Sequence, residues 1–444
     1  MIAPATGKAF AVLFEDLLKW DFLSLSLARF SHVRTPLIRI ADLFTVRKEV
    51  VPEADFESGK VRMAEKVTFD GEVFLGRERT RMTQYLAMPG DLLVSKIRAR
   101  QGSVGLLTKT HGPASVTIHY RVLTPRTVIL PEYAWLALRS NYVRNQFLAA
   151  TGGAMKGEIS EGALLDLRLP CPDLPTQTAI VDFWNQAESA VAAARSALAD
   201  PVNALNERLL ELYRADAPHD VIHTRFFALN FKDLEAWDVK LGRASAFRLA
   251  CPSFRPMGEF IEETTELVRP STEPEKEWPV YGVNNKEGVF LNSHQKGKTF
   301  NASYKRIRKD WFFHNPTRCN VGSLGIVPDV PEDAITSPEY QVWRVKEDTP
   351  DGMIPSFVAV LIQTPFFIDL VQFNRVGAVK QRMYTENLCQ LRIPYLPEPE
   401  QRKYAQAREK ALAYLDSAKV RLAEARKDVE TIIIGSKSVP VDTK

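Results

Sequence analysis

The chain has 444 residues, 58 Lys and Arg against 54 Asp and Glu, a net charge of +4, 45% hydrophobic residues and 25% charged ones. That balance excludes a disordered, collagenous or fibrous chain and leaves length for several domains with ample core. Four cysteines (Cys171, Cys251, Cys319 and Cys389), no two at metal-ligand spacing, exclude a disulfide framework and a zinc finger and point to a reducing compartment.

In chain order, the apolar run between Met1 and Trp20 is too short for a secretory leader, so a cytoplasmic protein is expected. Short apolar runs bounded by Gly, Pro and Asn follow, such as residues 91–94 and 104–107, and read as strands. Residues 133–138 read as a short helix. Beyond Pro175, residues 176–199 place Ile180, Phe183, Trp184, Ala187, Val191, Ala194 and Leu198 at three- and four-residue steps, one face of an α-helix. Asp200 and Pro201 read as the N-cap and first-turn proline of a second helix carrying Val202, Leu205, Leu209 and Leu212.

Strand-like runs return, residues 280–283 among them, before the apolar stretch 354–373. That stretch alone invites a test as a membrane span. Gln363, Pro365, Asp369 and Gln372 would place charge and a helix breaker in lipid, so a buried helix is expected. Last, residues 400–433 put Ala407, Ala411, Tyr414, Leu415, Ala418, Leu422, Ala425, Val429 and Ile432 on one helical face. So long a charged helix calls for a partner: antiparallel packing of the two long helices is preferred over packing on its own domain or on another chain.

The chain also repeats itself. Phe14, Asp16, Leu17, Trp20 and Asp21 match Phe231, Asp233, Leu234, Trp237 and Asp238, a spacing of 217 residues. Residues 98–105 match 318–325 at a spacing of 220, with Tyr120 and Val122 against Tyr340 and Val342. Residues 153–177 match 377–401 at 224 without a gap. There Gly153, Ala154, Lys156, Leu164, Leu167, Arg168, Pro170, Pro175 and Gln177 recur as Gly377, Ala378, Lys380, Leu388, Leu391, Arg392, Pro394, Pro399 and Gln401. Average composition would give roughly one or two such identities. The chain is a tandem duplication.

Catalytic signatures are missing. No P-loop, GxGxxG, GxSxG, HExxH or CxxC occurs. His219 and His223 stand four apart in a Pro- and Asp-rich linker without an acidic or cysteine cluster beside them, and read as solvated. Asn315, Pro316, Thr317 and Arg318 depart from the run that a methyltransferase acting on amino groups would need. Asp238 and Lys240 end like a magnesium nuclease motif, but their counterparts Asp21 and Leu23 lack the lysine. A binding protein without cofactor, metal or catalytic residue is expected.

Basic residues gather in the strand-rich parts. Lys96, Arg98, Arg100 and Gln101 precede Gly102 and Ser103, and Arg318, Asn320 and Ser323 match them in copy two. Lys305, Arg306 and Arg308 lie just upstream of the second set, and Arg77, Arg79 and Arg81 upstream of the first. Lys and Arg alternating with apolar residues put charge on one strand face toward phosphates, and Arg, Gln and Asn can pair with base edges. The competing reading is an ordinary solvated face, and recurrence in both copies weighs against it. A second candidate is the glycine turn with Lys156 and its counterpart with Lys380 and Arg382, where glycine permits close approach to a phosphate chain.

Residues 90–105, then Gly153, Lys156, Leu164, Leu167, Pro170, Pro175 and Gln177 before a long helix, with the repeat through Gly377, Lys380, Leu391, Pro394 and Gln401, resemble the specificity (S) subunit of type I restriction-modification enzymes. The resemblance covers nearly the whole chain. It implies an α+β fold: two tandem target recognition domains, mixed α/β and strand-rich, joined by long antiparallel helices that form a coiled-coil spacer. The implied parts are residues 1–175 and 216–398 as recognition domains, 176–215 and 399–434 as conserved helical regions, and 435–444 as a tail. The implied partners are double-stranded DNA, two methyltransferase (M) subunits and, through them, restriction (R) subunits, with no membrane and no cofactor. Catalysis would belong to those partners. Because residues 60–120 and 275–345 differ outside the shared frame, the two DNA half-sites should differ. The long Ser/Leu/Arg stretch after Asp21 and the break at Asp200 and Pro201 depart from the family pattern. Two other readings stay open: a DNA-modifying enzyme with an unrecognised active site, and a recognition scaffold of another phage-defence assembly.

Overall fold

The short apolar runs pair into strands and the apolar stripes coil into helices at equivalent places in the two copies. The computed structural model of the chain describes residues 33–76, 82–151, 157–216, 254–347, 349, 351–375 and 381–440. Outside these lie the paired Trp20 and Trp237 segments, Arg77, Arg79, Arg81, Lys156, His219, His223, Cys251 and Lys380. The chain divides into two units, residues 1–191 with 418–444, and residues 192–417.

The first unit runs β1 (Leu37–Arg39), α1 (Ile40–Leu43), β2 (Phe44–Arg47), α2 (Glu53–Glu57), β3 (Arg62–Val67), β4 (Val73–Gly76), β5 (Gln84–Ala87), β6 (Leu92–Ser95), β7 (Val104–Leu106), β8 (Ala114–Thr117) and β9 (Tyr120–Pro125). Then come α3 (Pro131–Leu138), α4 (Asn141–Ala150), α5 (Glu161–Asp166), β10 (Arg168–Pro170) and α6 (Leu174–Ala197). One sheet has the order β2-β9-β6-β7, a second β4-β3-β8-β5, and β1 pairs with β10. Among the described strands of this unit, only β3 and β8 run parallel.

The second unit takes in α7 (Ala199–Asp216), β11 (Arg255–Pro256), β12 (Ile261–Glu263), β13 (Leu267–Val268), β14 (Glu277–Asn284), β15 (Gly288–Lys296), β16 (Tyr304–Arg306), β17 (Phe312–His314), β18 (Leu324–Ile326), β19 (Ile335–Thr336) and β20 (Gln341–Val345). It continues through α8 (Pro355–Leu361), α9 (Pro365–Asn374), α10 (Thr385–Gln390), β21 (Arg392–Ile393) and α11 (Glu398–Ile433). The sheets repeat strand for strand: β12-β20-β17-β18, then β15-β14-β19-β16 with β13 added at its edge, and the ladder β11–β21. Again one pair, β14 with β19, is parallel. The fold is α+β and doubled.

The helices explain the 224-residue spacing. In the first unit Ile180, Val181 and Trp184 of α6 share a core with Val429, Ile432 and Ile433 of α11. In the second, Tyr404 and Ala405 of α11 share a core with Leu205, Leu209 and Tyr213 of α7. Each unit therefore draws one helical segment from its own copy and one from the other. The end of α11 also caps α4: the Glu430 carboxylate accepts the Asn141 backbone N–H at 2.9 and 3.0 Å. At the matching place Asn206 of α7 accepts the Phe366 N–H at 2.9 Å.

Gln177 and Gln401 are fully buried and do the same work. Gln177 accepts the Leu130 N–H at 2.8 Å and donates to the carbonyls of Val128 (3.1 Å) and Pro172 (2.8 Å). Gln401 accepts the Ile354 N–H at 2.9 Å and donates to Gly352 (3.2 Å) and Leu396 (2.8 Å). Along α11 the buried or half-buried positions 404, 408, 411, 415, 418, 422, 425, 429 and 432 follow an unbroken heptad. That is the seam of a coiled coil, about 54 Å of helix at 1.5 Å per residue.

Three expectations need correction. The break after α6 falls at Leu198, not at Asp200. Pro201 then sits in the first turn of α7, where its missing N–H has no helical partner to lose. On α11, Ala407 is exposed and Tyr414 largely so. The stretch 354–373 is two helices, not one. Thr364 caps the second with its hydroxyl (3.2 Å from the Phe367 N–H), and the pair is bent by 72°. Phe357, Val358, Val360, Phe367 and Val371 of this pair are buried in the second unit's core. Among the described residues no single helix is long and apolar enough to cross a membrane.

Candidate nucleic-acid interface

In both units a tight turn joins the inner strand to the edge strand of the first sheet, and the two turns share one backbone hydrogen-bond pattern. Residues 99–101 and 319–321 each form one 3-10 turn. Ala99 and Cys319 point inward and anchor the turns, and burial pushes the Cys319 thiol up to about 12. Glycine closes each turn: Gly102 at φ 100° and Gly322 at φ 84°, left-handed conformations that other residues adopt only with strain. The Arg98 carbonyl accepts from the N–H of Gln101 (2.9 Å) and Ser103 (3.2 Å), and the Arg318 carbonyl from Val321 (3.1 Å) and Ser323 (3.2 Å). With their backbones so tied, both arginines turn their side chains outward. Among the described residues neither guanidinium has a hydrogen-bond or ion-pair partner, and both residues are exposed.

Above each turn lies the tip of a hairpin from the second sheet. A Cβ on Gly102 would come within 2.5 Å of the Phe69 carbonyl oxygen, and one on Gly322 within 3.3 Å of Asn285. Phe69 is 50% exposed, and Asn285 and Lys286 are exposed as well. Sequence reading missed these tip residues as part of the surface. The signal was present in the Asp70-Gly71 turn and in Gly288, the turn-forming residues that join β3 to β4 and β14 to β15. Each unit thus offers a surface of one free arginine, polar neighbours and a hairpin tip. In the first these are Arg98, Gln101 and Phe69, and in the second Arg318, Asn320 and Lys286.

The other candidates sort differently. Lys96 is only 12% exposed and pairs with Glu158 at 3.1 Å, and Arg100 is half-buried and engaged. Ser103 is buried and donates to the Val67 carbonyl at 2.9 Å, and Ser323 is buried too, so neither hydroxyl reaches a ligand. Lys305 donates to the Tyr340 carbonyl at 2.8 Å, and burial lowers its ammonium pKa. Arg306 donates to the Glu332 carbonyl at 2.6 Å, and Arg308 grips Glu266 at 2.9 and 3.0 Å. Arg382 is half-buried and donates to the Tyr384 hydroxyl at 3.1 Å. The expectation of one charged strand face fails for 96–101, because that segment leaves the strand at Ser95 and turns. For 305–308 it fails because every cation there is already held. Among the described residues no trio of His, Cys, Asp or Glu is placed to hold a metal ion.

The class of protein so defined is a duplicated α+β chain with a matched turn-and-hairpin surface on each unit. No protein-family model matches it, and no curated protein does. Solved structures resemble it over most of its length. The type-I restriction-modification system S subunit from M. genitalium is 15% identical at TM-score 0.40, covering 93% of this chain and 97% of that one. The HsdS subunit from Thermoanaerobacter tengcongensis is 14% identical at TM-score 0.32, covering 90% and 97%. A chain from a structure on complex assembly and conformational transition of the type I R-M system is 14% identical at TM-score 0.36, covering 91% and 100%. Overlap this loose leaves the function to rest on the chain's own residues.

Proposed function

We propose that this chain is the specificity subunit of a type I restriction-modification system. It reads an asymmetric bipartite DNA site, one half with each unit, and docks methyltransferase subunits and, through them, restriction subunits. The observation that carries this reading is the recurrence of one turn, with the same glycine geometry and the same free outward arginine, at Arg98 and Arg318. A lone exposed arginine is ordinary. Two held in backbone turns with the same hydrogen bonds, beside different polar residues, suit a reader of two different short sequences.

A guanidinium presents a planar fork that matches guanine O6 and N7 in the major groove, and neighbouring Gln101 and Asn320 carry the amides that suit adenine. Gln101 and Phe69 stand where the second unit has Val321 and Asn285, so the half-sites differ. Arg318→Ala should relax base preference at one half-site by about 1–3 kcal/mol, and Arg98→Ala at the other. Binding of duplex libraries to the complex with its methyltransferase partner reads this out. Equal weakening on every sequence would instead assign a phosphate contact. No effect from either substitution would remove these turns from the interface.

A further inference from the structure

One side of the first unit holds a cleft of about 340 Å³ that the paired turns do not account for. Gln101 and Gly102 of the turn, Phe69 and Asp70 of the hairpin tip, Arg139 at the end of α3, Arg144 of α4, Trp184 of α6, and Arg426, Lys427 and Glu430 of α11 line it. Four cations there face two carboxylates. The Glu430 carboxylate accepts the Asn141 N–H with both oxygens and also acts electrostatically on Arg144, Arg139 and Arg426, while Asp70 pairs with Arg426 at 3.3 Å. Arg139, Arg144 and Lys427 are left without an ion-pair partner among the described residues.

Arg139 is the most crowded of them. Its guanidinium lies 4.3 Å over the Trp135 ring, its Nε is buried without an acceptor, and its one hydrogen bond, to the Phe69 carbonyl, is long at 3.4 Å. Burial, and next the charge of Arg426, pull its pKa down to about 10, with Asp70 acting in the opposite sense. Arg144 uses its Nε on the Arg100 carbonyl at 2.9 Å, tying the cleft to the recognition turn. Four cations against two carboxylates leave the cleft net positive, and the buried Arg139 Nε without an acceptor is costly unless an anion completes the site.

We infer that this cleft holds one phosphate of the DNA backbone next to the half-site read by the first unit, and that the chain has a single such site. The asymmetry is in the sequence: 224 residues away from Arg139, Arg144, Arg426 and Lys427 stand Gln363, Ile368, Val202 and Asn203, none of them charged. A phosphodiester fits better than an acidic protein segment because the walls are the recognition turn itself and an exposed aromatic at its mouth, against which a sugar can pack. The inference rests on the proposed DNA-reading role.

The test uses the full chain and a fluorescein-labelled duplex of mixed sequence, with affinity followed from roughly 50 to 200 mM salt. Losing one phosphate contact lowers the slope of log affinity against log salt by about 0.9. The double substitution Arg139→Gln with Arg144→Gln should do this, so that its deficit against the parent chain shrinks about threefold across that range. Lys427→Gln, at an exposed position that folding does not need, should shift the slope the same way, and Arg139→Lys with Arg144→Lys should restore it. A chain that binds the duplex with the same slope in both glutamine variants overturns the inference and gives the cleft to an acidic segment of a partner. A parent chain without salt-dependent binding overturns the DNA-reading role itself, and this site with it.

Discussion

Replacing Gln401 with alanine tests whether the duplication is energetic as well as topological. The side chain is fully buried and makes three hydrogen bonds, from the Ile354 N–H and to the carbonyls of Gly352 and Leu396. Alanine leaves one buried N–H and two carbonyls without these partners and opens a small cavity. An orphaned buried donor costs about 1–3 kcal/mol and a carbonyl with a spare lone pair less, so the total is about 3 kcal/mol. Gln177→Ala in the first unit removes the matching set, from Leu130 and to Val128 and Pro172, and should cost the same within about 1 kcal/mol. In units of this size that loss lowers a thermal midpoint by about 6–12 °C. Differential scanning calorimetry of the two single variants reads it directly. A loss below about 1 kcal/mol in either variant would refute the claim that each glutamine stabilises its own unit in the same way.

Two further outcomes follow from the packing. His314 is buried between the Trp343 indole N–H, which donates to its Nδ1 at 3.2 Å, and the Met383 carbonyl, which its Nε2 faces at 2.8 Å; burial lowers its pKa from 6.5 to about 4. The unfolded chain takes up that proton first, so this stability is complete above pH 6.5 and is lost as pH falls toward 4, by up to about 3 kcal/mol. His314→Gln keeps a donor and an acceptor without titrating and should flatten the pH dependence of unfolding in that window; an unchanged slope would show that other groups carry it. Deleting residues 418–444 removes Val429, Ile432 and Ile433 from the first unit's core, a loss of about 5 kcal/mol that rivals a domain's whole stability. Limited proteolysis should then cut within residues 33–191 and spare the second unit, and equal protection of both would contradict the helix exchange.

Much of this was readable in the residues. The duplication, the strand-like runs at 104–107 and 280–283 and the long apolar stripe of α11 all follow from spacing, because a strand or helix periodicity is a local property. What sequence could not give depends on tertiary contacts. The pair Gln177 and Gln401, matched across the repeat, carries no periodic signal, and only the folded chain reveals that each ties a helix start to a loop. Lys305, Arg306 and Arg308 had the composition of a phosphate-facing strand, yet Glu266, Glu332 and Tyr340 come from distant positions to occupy them. Ser103 and Ser323 matched across the copies for a structural reason, since the closed turn needs a small residue that can be buried. Arg98 and Arg318 matched as well, and their exposure separates them from the rest.

The most direct test of the account is to map methylated adenines in DNA from cells that carry this chain together with its methyltransferase partners. Two different short half-sites at one fixed spacing, with Arg318→Ala loosening only one of them, is the predicted result. Methylation in a single continuous motif, in two identical halves, or without dependence on this chain would contradict it.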